Sequence, residues 1–196
     1  MKVGVLEGAG NKSLDIFQIV NTYSPIWSER EIIVIFVVLL LGIFCEIFLY
    51  WKGLIRLWQG IAGILLLIYL ITVLGSTVFT RMPGERKYQL EIFWSWKEII
   101  APIGRVGASS PEDLVMENIL NMILLFPAGV LLPIVWDRKV SWWKGLLFGI
   151  ICSAGIEVLQ LVLCRGLFEF DDMIHNGVGC MVGTVIGDWI LRVMKK

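Results

Sequence analysis

Apolar residues in this chain come in long blocks, not in the alternating or every-third-residue patterns that mark one face of a soluble domain. Crossing a bilayer takes about twenty consecutive apolar residues. Five runs reach that length: Ile32–Trp51, Leu57–Thr80, Glu117–Trp136, Gly145–Cys164 and Met173–Leu191. The pattern predicts an all-α integral membrane protein with five transmembrane helices (32–51, 57–80, 117–136, 145–164 and 173–191), forming one membrane domain over residues 1–196. The first run lies too far from the N-terminus for an ordinary cleaved signal peptide, and no small-residue cleavage site follows it, so it is expected to remain as a helix.

The polar connections set an expected orientation. Segments 52–56, 137–144 and 192–196 hold eight Lys or Arg in 18 residues, whereas 1–31, 81–116 and 165–172 hold nine in 75. Lys and Arg accumulate in cytoplasmic loops, which places the N-terminus outside and the C-terminus inside. Trp51, Trp58, Trp136, Trp142, Trp143 and Trp189 fall near the predicted cytoplasmic helix ends, where an aromatic belt belongs. Trp94 and Trp96 lie instead in YQLEIFWSWKEII, whose mixture of aromatics, isoleucines and charges predicts an interfacial segment near 88–100 on the outer side.

At about 1.5 Å per helical residue, the polar positions of three spans meet in the outer leaflet. Asn118 and Asn121 open the third span, Glu157 and Gln160 lie near the end of the fourth, and Arg165, Glu169, Asp171 and Asp172 fill the turn before His175 and Asn176. Glu157 and Gln160 are three apart, and Asp172, His175 and Asn176 follow i, i+3, i+4 spacing, so each set shares a helix face. The second face continues through Gly179, Gly183 and Gly187, a small-residue stripe that lets another helix approach closely. Pro127 is expected to bend the third span beside it and free a backbone carbonyl. Asp171 or Asp172 suits the N-cap of the fifth helix. Arg165 is the candidate partner of Glu157 or of the Asp171/Asp172 pair. Glu46 in the first span is expected to snorkel toward Lys52.

Composition narrows the function classes. The chain is 57% hydrophobic and 17% charged with net charge +0, and its mean hydropathy is +0.79, so no basic face points to nucleic acid. Cys45, Cys152, Cys164 and Cys180 all sit in apolar runs and read as packing residues. No metal and no cofactor is expected. The polar cluster leaves three readings open: glue between helices, a ligand site, or catalysis and metal binding, because intramembrane ionisable groups are functional candidates by default.

NMILLFPAGVLLP (121–133), IEVLQL (156–161) and R-x5-DDMIHNGVGCMVG from Arg165 together resemble the VanZ-like family, as does EIFWSWKEI before them. The resemblance covers about residues 57–194 and makes the first span, 32–51, an addition to a four-helix core. His175 departs from the family's more usual apolar residue. The resemblance implies a multi-pass protein of the bacterial cell membrane and low-level resistance to the lipoglycopeptide teicoplanin; it implies no mechanism. The first expectation is therefore an envelope protein with an outer-leaflet amphiphile site formed by Asn121, Glu157, Gln160, Arg165, Asp171, Asp172, His175 and Asn176. In that reading the acyl chain of a membrane lipid, or of the lipoglycopeptide, lies along the glycine stripe. The alternatives are an intramembrane enzyme acting on a lipid or cell-wall precursor through Glu157, Asp171, Asp172 and His175, and a structural or transport-related protein. Against the enzyme, no HExxH or GxSxG signature is present. Against transport, no inverted repeat is visible.

Overall fold

The structure is a computed structural model and describes residues 28–100 and 110–196; residues 1–27 of the expected membrane domain lie outside it. Among the described residues, five helical spans are long and apolar enough to cross a membrane. The first, α1 (Glu29–Trp51), opens with a capping box in which Ser28 Oγ accepts from Glu31 N and Glu31 Oε2 accepts from Ser28 N. The second, α2 (Leu57–Leu74), runs on into a π-helical turn at Gly75–Phe79. After it come a short strand β1 (Lys87–Gln89) and helix α3 (Trp94–Ile100). The third span is two helices, α4 (Pro111–Leu124) and α5 (Phe126–Trp136). Helix α6 (Trp142–Leu163), strand β2 (Leu167–Glu169) and helix α7 (Phe170–Met194) complete the chain.

The third span begins six residues before its apolar run, and the reason is local. Ser110 caps through Asp113 N, Pro111 occupies the first turn, and Glu112 and Asp113 complement the helix dipole there. The bend falls at Leu125, just ahead of Pro127, and the Leu124 carbonyl beside it accepts a 2.6 Å hydrogen bond from the Tyr69 hydroxyl. The segment near 88–100 holds the end of a short strand and a short helix. Its strand pairs in parallel with β2, Tyr88 facing Phe168, and Gly84 N donates to Cys164 O at 2.7 Å.

Burial runs opposite to hydropathy. The most apolar span, α1, has no buried residue, while α7, the least apolar, is the centre of the bundle with eleven. Small residues make this possible. On one side of α7, a Cβ added at Gly179, Gly183 or Gly187 would collide with the backbone of Met122, Phe126 or Val130 of the third span. On the other side, Thr184, Cys180, Gly177 and Asn176 press against Gly145 and Gly149 of α6. The glycine stripe is filled by the third span. An acyl chain cannot lie there, which corrects the groove expected from sequence. Val73, Val78, Leu125, Ala128, Leu132, Ile156 and Cys180 form the apolar core around these contacts.

Glu46 is also placed differently from expectation. Its carboxylate packs on Gly60 and Gly63 of α2, while Lys52 stacks its ammonium over Phe48 and Trp51. Glycines on α2 leave room for the acid between helices, so it has no need to reach the interface.

Candidate functional site

The polar residues of α4, α6, α7 and the 81–100 segment converge at one end of the bundle. Asp171 is the most engaged. Its Oδ1 accepts from Phe93 N at 2.5 Å and its Oδ2 from Ser95 N at 3.1 Å and Ser95 Oγ at 2.7 Å. Ser95 Oγ in turn accepts from Asn118 Nδ2 at 3.2 Å. The chain enters α3 through Phe93, whose φ of 60° is left-handed and whose side chain has no oxygen to cap with. Asp171 supplies from α7 the acceptor that the local sequence lacks.

The N-cap position of α7 belongs to Glu169, with Asp171 and Asp172 in the first turn; neither aspartate caps its own helix. Glu157 of α6 does related work, since its Oε2 accepts from Glu169 N at 2.9 Å. Asp172 accepts from Asn121 Nδ2 at 2.5 Å. Gln160 donates to Thr77 O at 3.1 Å, taking a carbonyl of the π-helical turn. His175 Nε2 accepts from Trp96 Nε1 at 2.9 Å. Indole can only donate, so this bond assigns the ring proton to Nδ1, which is buried without a partner. Asn176 Nδ2 donates to Ser153 Oγ at 2.9 Å and leaves its buried Oδ1 unpaired.

Arg165 does not reach Glu157 or the aspartate pair. Its guanidinium lies 3.6 Å from Glu31 of α1 and over the Phe79 ring. The left-handed Cys164 cap ends α6 and the backbone then turns with Arg165 N bonded to Gln160 O, which directs the side chain toward the first span. The cation that acts on both Glu157 and Asp172 is Arg81, just after the second span. A charge at a span boundary looks like ordinary interfacial anchoring in sequence, so Arg81 carried no signal of its own. Ser95, Glu117 and Ser153 join the cluster without having been expected there, and Asn118 and Glu169, expected at this depth, join it although they were not in the expected ligand set.

The resulting site is rich in acid. Glu117, Glu157, Glu169, Asp171 and Asp172 act on one another here. Glu169 is 6% exposed, and its Oε1 is buried without a hydrogen-bond partner. The Trp94 indole acts on this carboxylate without full hydrogen-bond geometry. Burial first, then the carboxylates of Asp172, Glu117 and Asp171, push the Glu169 carboxyl up to about 8. A raised carboxyl binds its proton more tightly in the folded state than in the unfolded one. Its stabilising protonation is complete below the ordinary carboxylate range and is lost as pH rises through about 8. The thermal midpoint of detergent-solubilised protein is therefore expected to fall between pH 5 and pH 8. The slope is at most about 1.4 kcal/mol per pH unit for one group, and Glu169→Gln is expected to flatten it. An unchanged slope in the variant would remove Glu169 as its source.

Among the described residues, no three His, Cys, Asp or Glu side chains are grouped so as to hold a metal ion. The four cysteines are free. The asparagine amides donate inward, to Asp172, Ser95 and Ser153, and Arg165 is engaged by Glu31. The buried atoms left without a hydrogen bond in and beside the cluster are of both kinds: Glu169 Oε1 and Asn176 Oδ1 as acceptors, and His175 Nδ1, Trp94 Nε1 and Arg165 Nη1 as donors.

A five-span helical membrane protein with an acid-rich polar site at one end of the bundle is the class these features define. The chain belongs to the VanZ/LLP1 family, whose model matches residues 61–191. The match takes in α5, α6, nearly all of α7 and every element of the polar cluster, and leaves α1 outside. Comparison with curated proteins and with solved structures gave no match.

Proposed function

We propose that this VanZ/LLP1-family protein works in the bacterial envelope by binding an amphiphile at the acid-rich end of its bundle, with that end facing outward. The observation that carries the reading is the buried, unpartnered Oε1 of Glu169, set among four further carboxylates with Arg81 as the counter-charge to Glu157 and Asp172. Polar groups inside a membrane bundle are costly unless something satisfies them. A headgroup that offers both hydrogen-bond donors and acceptors would do so. The bias of Lys and Arg toward the opposite end supports the outward placement.

A teicoplanin-type lipoglycopeptide joins an acyl chain to peptide and sugar donors. Its chain would remain in the bilayer beside the bundle while its polar part meets the acids. Low-level resistance then follows from holding the drug away from its target, and an endogenous amphiphile bound the same way would serve envelope homeostasis. In cells expressing the protein, Glu169→Gln and Asp172→Asn variants at wild-type levels are expected to lose most of the protection against teicoplanin. Arg165→Gln, whose side chain is engaged by Glu31, is expected to keep most of it. Protection unchanged in both acid variants sinks this site. Turnover of a labelled cell-wall precursor by pure protein, abolished by Asp172→Asn, would replace binding with catalysis.

A further inference from the structure

The end of the bundle opposite the acids is built from basic and aromatic residues. Lys52 lies over Trp51, Arg56 over Trp58, Arg138 over Trp136 and Lys144 over Trp143. Within this belt the connection from α5 to α6 and the last turns of α7 enclose a cleft of about 320 Å³. Its walls include Lys139, Ser141, Trp142, Trp143, Asp188 and Arg192.

The cleft is held open by the fold. Asp137 ends α5 in a left-handed cap and binds Lys195 at 2.7 Å and Arg56 at 3.2 Å, while Lys195 Nζ also donates to Asp137 O at 2.7 Å. Asp188, 6% exposed, accepts from Val140 N at 2.9 Å. The acid on the cleft wall is thus occupied in fixing the connection. Among the described residues, neither Lys139 nor Arg192 is in an ion pair. Ser141 precedes the 22-residue α6 without a side-chain cap bond; Lys144 N bonds the Ser141 carbonyl, so the amides of Trp142 and Trp143 are the first-turn donors added to the same space.

We propose that this cleft binds the phosphate of an anionic phospholipid. Lys139 and Arg192 carry the charge recognition and the start of α6 supplies backbone donors. A membrane lipid is the fitting source because the cleft lies at the end of apolar spans, at headgroup level, beside Trp142 and Trp143, which are 58% and 50% exposed. Basic pockets between spanning helices hold lipid headgroups by this chemistry. The site is independent of the acid-rich end and holds whichever amphiphile binds there.

The test uses the full chain in a non-ionic detergent with added phosphatidylglycerol, phosphatidylcholine or inorganic phosphate, and reads the thermal midpoint. Phosphatidylglycerol is expected to raise it by about 3 °C or more beyond phosphatidylcholine, and millimolar phosphate is not. A Lys139→Gln/Arg192→Gln double variant is expected to lose at least two-thirds of that difference. Lys52→Gln, which removes an exposed cation from the same end, is expected to keep it. Equal shifts from both lipids, an equal loss in Lys52→Gln, or a full shift with phosphate alone would each overturn the proposal. Should the double variant not fold, Lys139→Gln alone is expected to lose a measurable part of the difference, and a full shift there overturns it.

Discussion

Gly183→Leu is expected to unfold the bundle or to lower its stability by about 3 kcal/mol or more, at the upper end of what overpacking costs. The reason is what a side chain at this position would meet. A Cβ at Gly183 would strike the carbonyl of Phe126 and approach Val130 N, both backbone atoms of the third span. A flexible neighbour could rotate away, but backbone can only move with its helix. Moving that helix would also separate Gly179 from Met122 and Gly187 from Val130. Gly155→Ala is the internal comparison: nothing lies within 4 Å of its added Cβ, so removing a glycine from a helix interior there is expected to gain up to about 1 kcal/mol. Reversible unfolding in mixed detergent measures both. Equal effects at the two positions would mean that the stripe does not hold α7 against the third span.

Asp171→Ala is expected to cost about 3–5 kcal/mol and to release α3 from the bundle. The carboxylate satisfies Phe93 N, Ser95 N and Ser95 Oγ, and each buried donor left without an acceptor costs about 1–3 kcal/mol. Movement of α3 into solvent would recover part of that, so the total stays below the sum. Asp171→Asn keeps one acceptor oxygen and is expected to fall between wild type and alanine. Hydrogen exchange should localise the effect, with the amides of residues 94–100 losing protection while those of α5 and α6 keep theirs. Uniform loss across all helices would show that Asp171 acts on the whole bundle and not on α3. The same release would part Trp96 from His175, which depend on each other for a hydrogen bond.

These two residues also show what could be read along the chain. The stripe of Gly179, Gly183 and Gly187 is visible because it recurs every fourth residue in one helix. Its partner is not, since any helix with a regular backbone can meet such a stripe. The matching positions on α6, Gly145, Gly149 and Ser153, carry the same spacing and were legible in principle. Spans were readable wherever apolar residues continue without interruption. The third span was shortened because PEDLVMENIL is amphipathic: Leu114 and Asn118 turn inward, while Glu112, Asp113 and Glu117 stay exposed.

The site was legible as a place and less so as a network. Asn121, Glu157, Gln160, Asp171, Asp172, His175 and Asn176 lie together because helix spacing and depth both follow from sequence. Pairings between distant segments do not follow. Asp171 meets Ser95, and Arg165 meets Glu31 at the start of the first span; no periodicity links either pair. Arg81 shows the same limit, as its role depends on a turn that brings the end of α2 beside Gly166 and Gln160. Its placement changes the expected chemistry. Arg165 is drawn off to Glu31 and the asparagine amides turn inward, so the polar atoms left unpaired are others, among them Glu169 Oε1 and His175 Nδ1.

The most direct measurement is equilibrium binding of a fluorescent teicoplanin-type lipoglycopeptide to proteoliposomes containing the full chain, compared with protein-free vesicles of the same lipid. Saturable binding to wild type, weakened about tenfold or more in Glu169→Gln and in Asp172→Asn, which corresponds to roughly 1.4 kcal/mol, is the predicted result. Binding of equal affinity in wild type and both acid variants, or none beyond that of the bare vesicles, would contradict an amphiphile site at the acid-rich end.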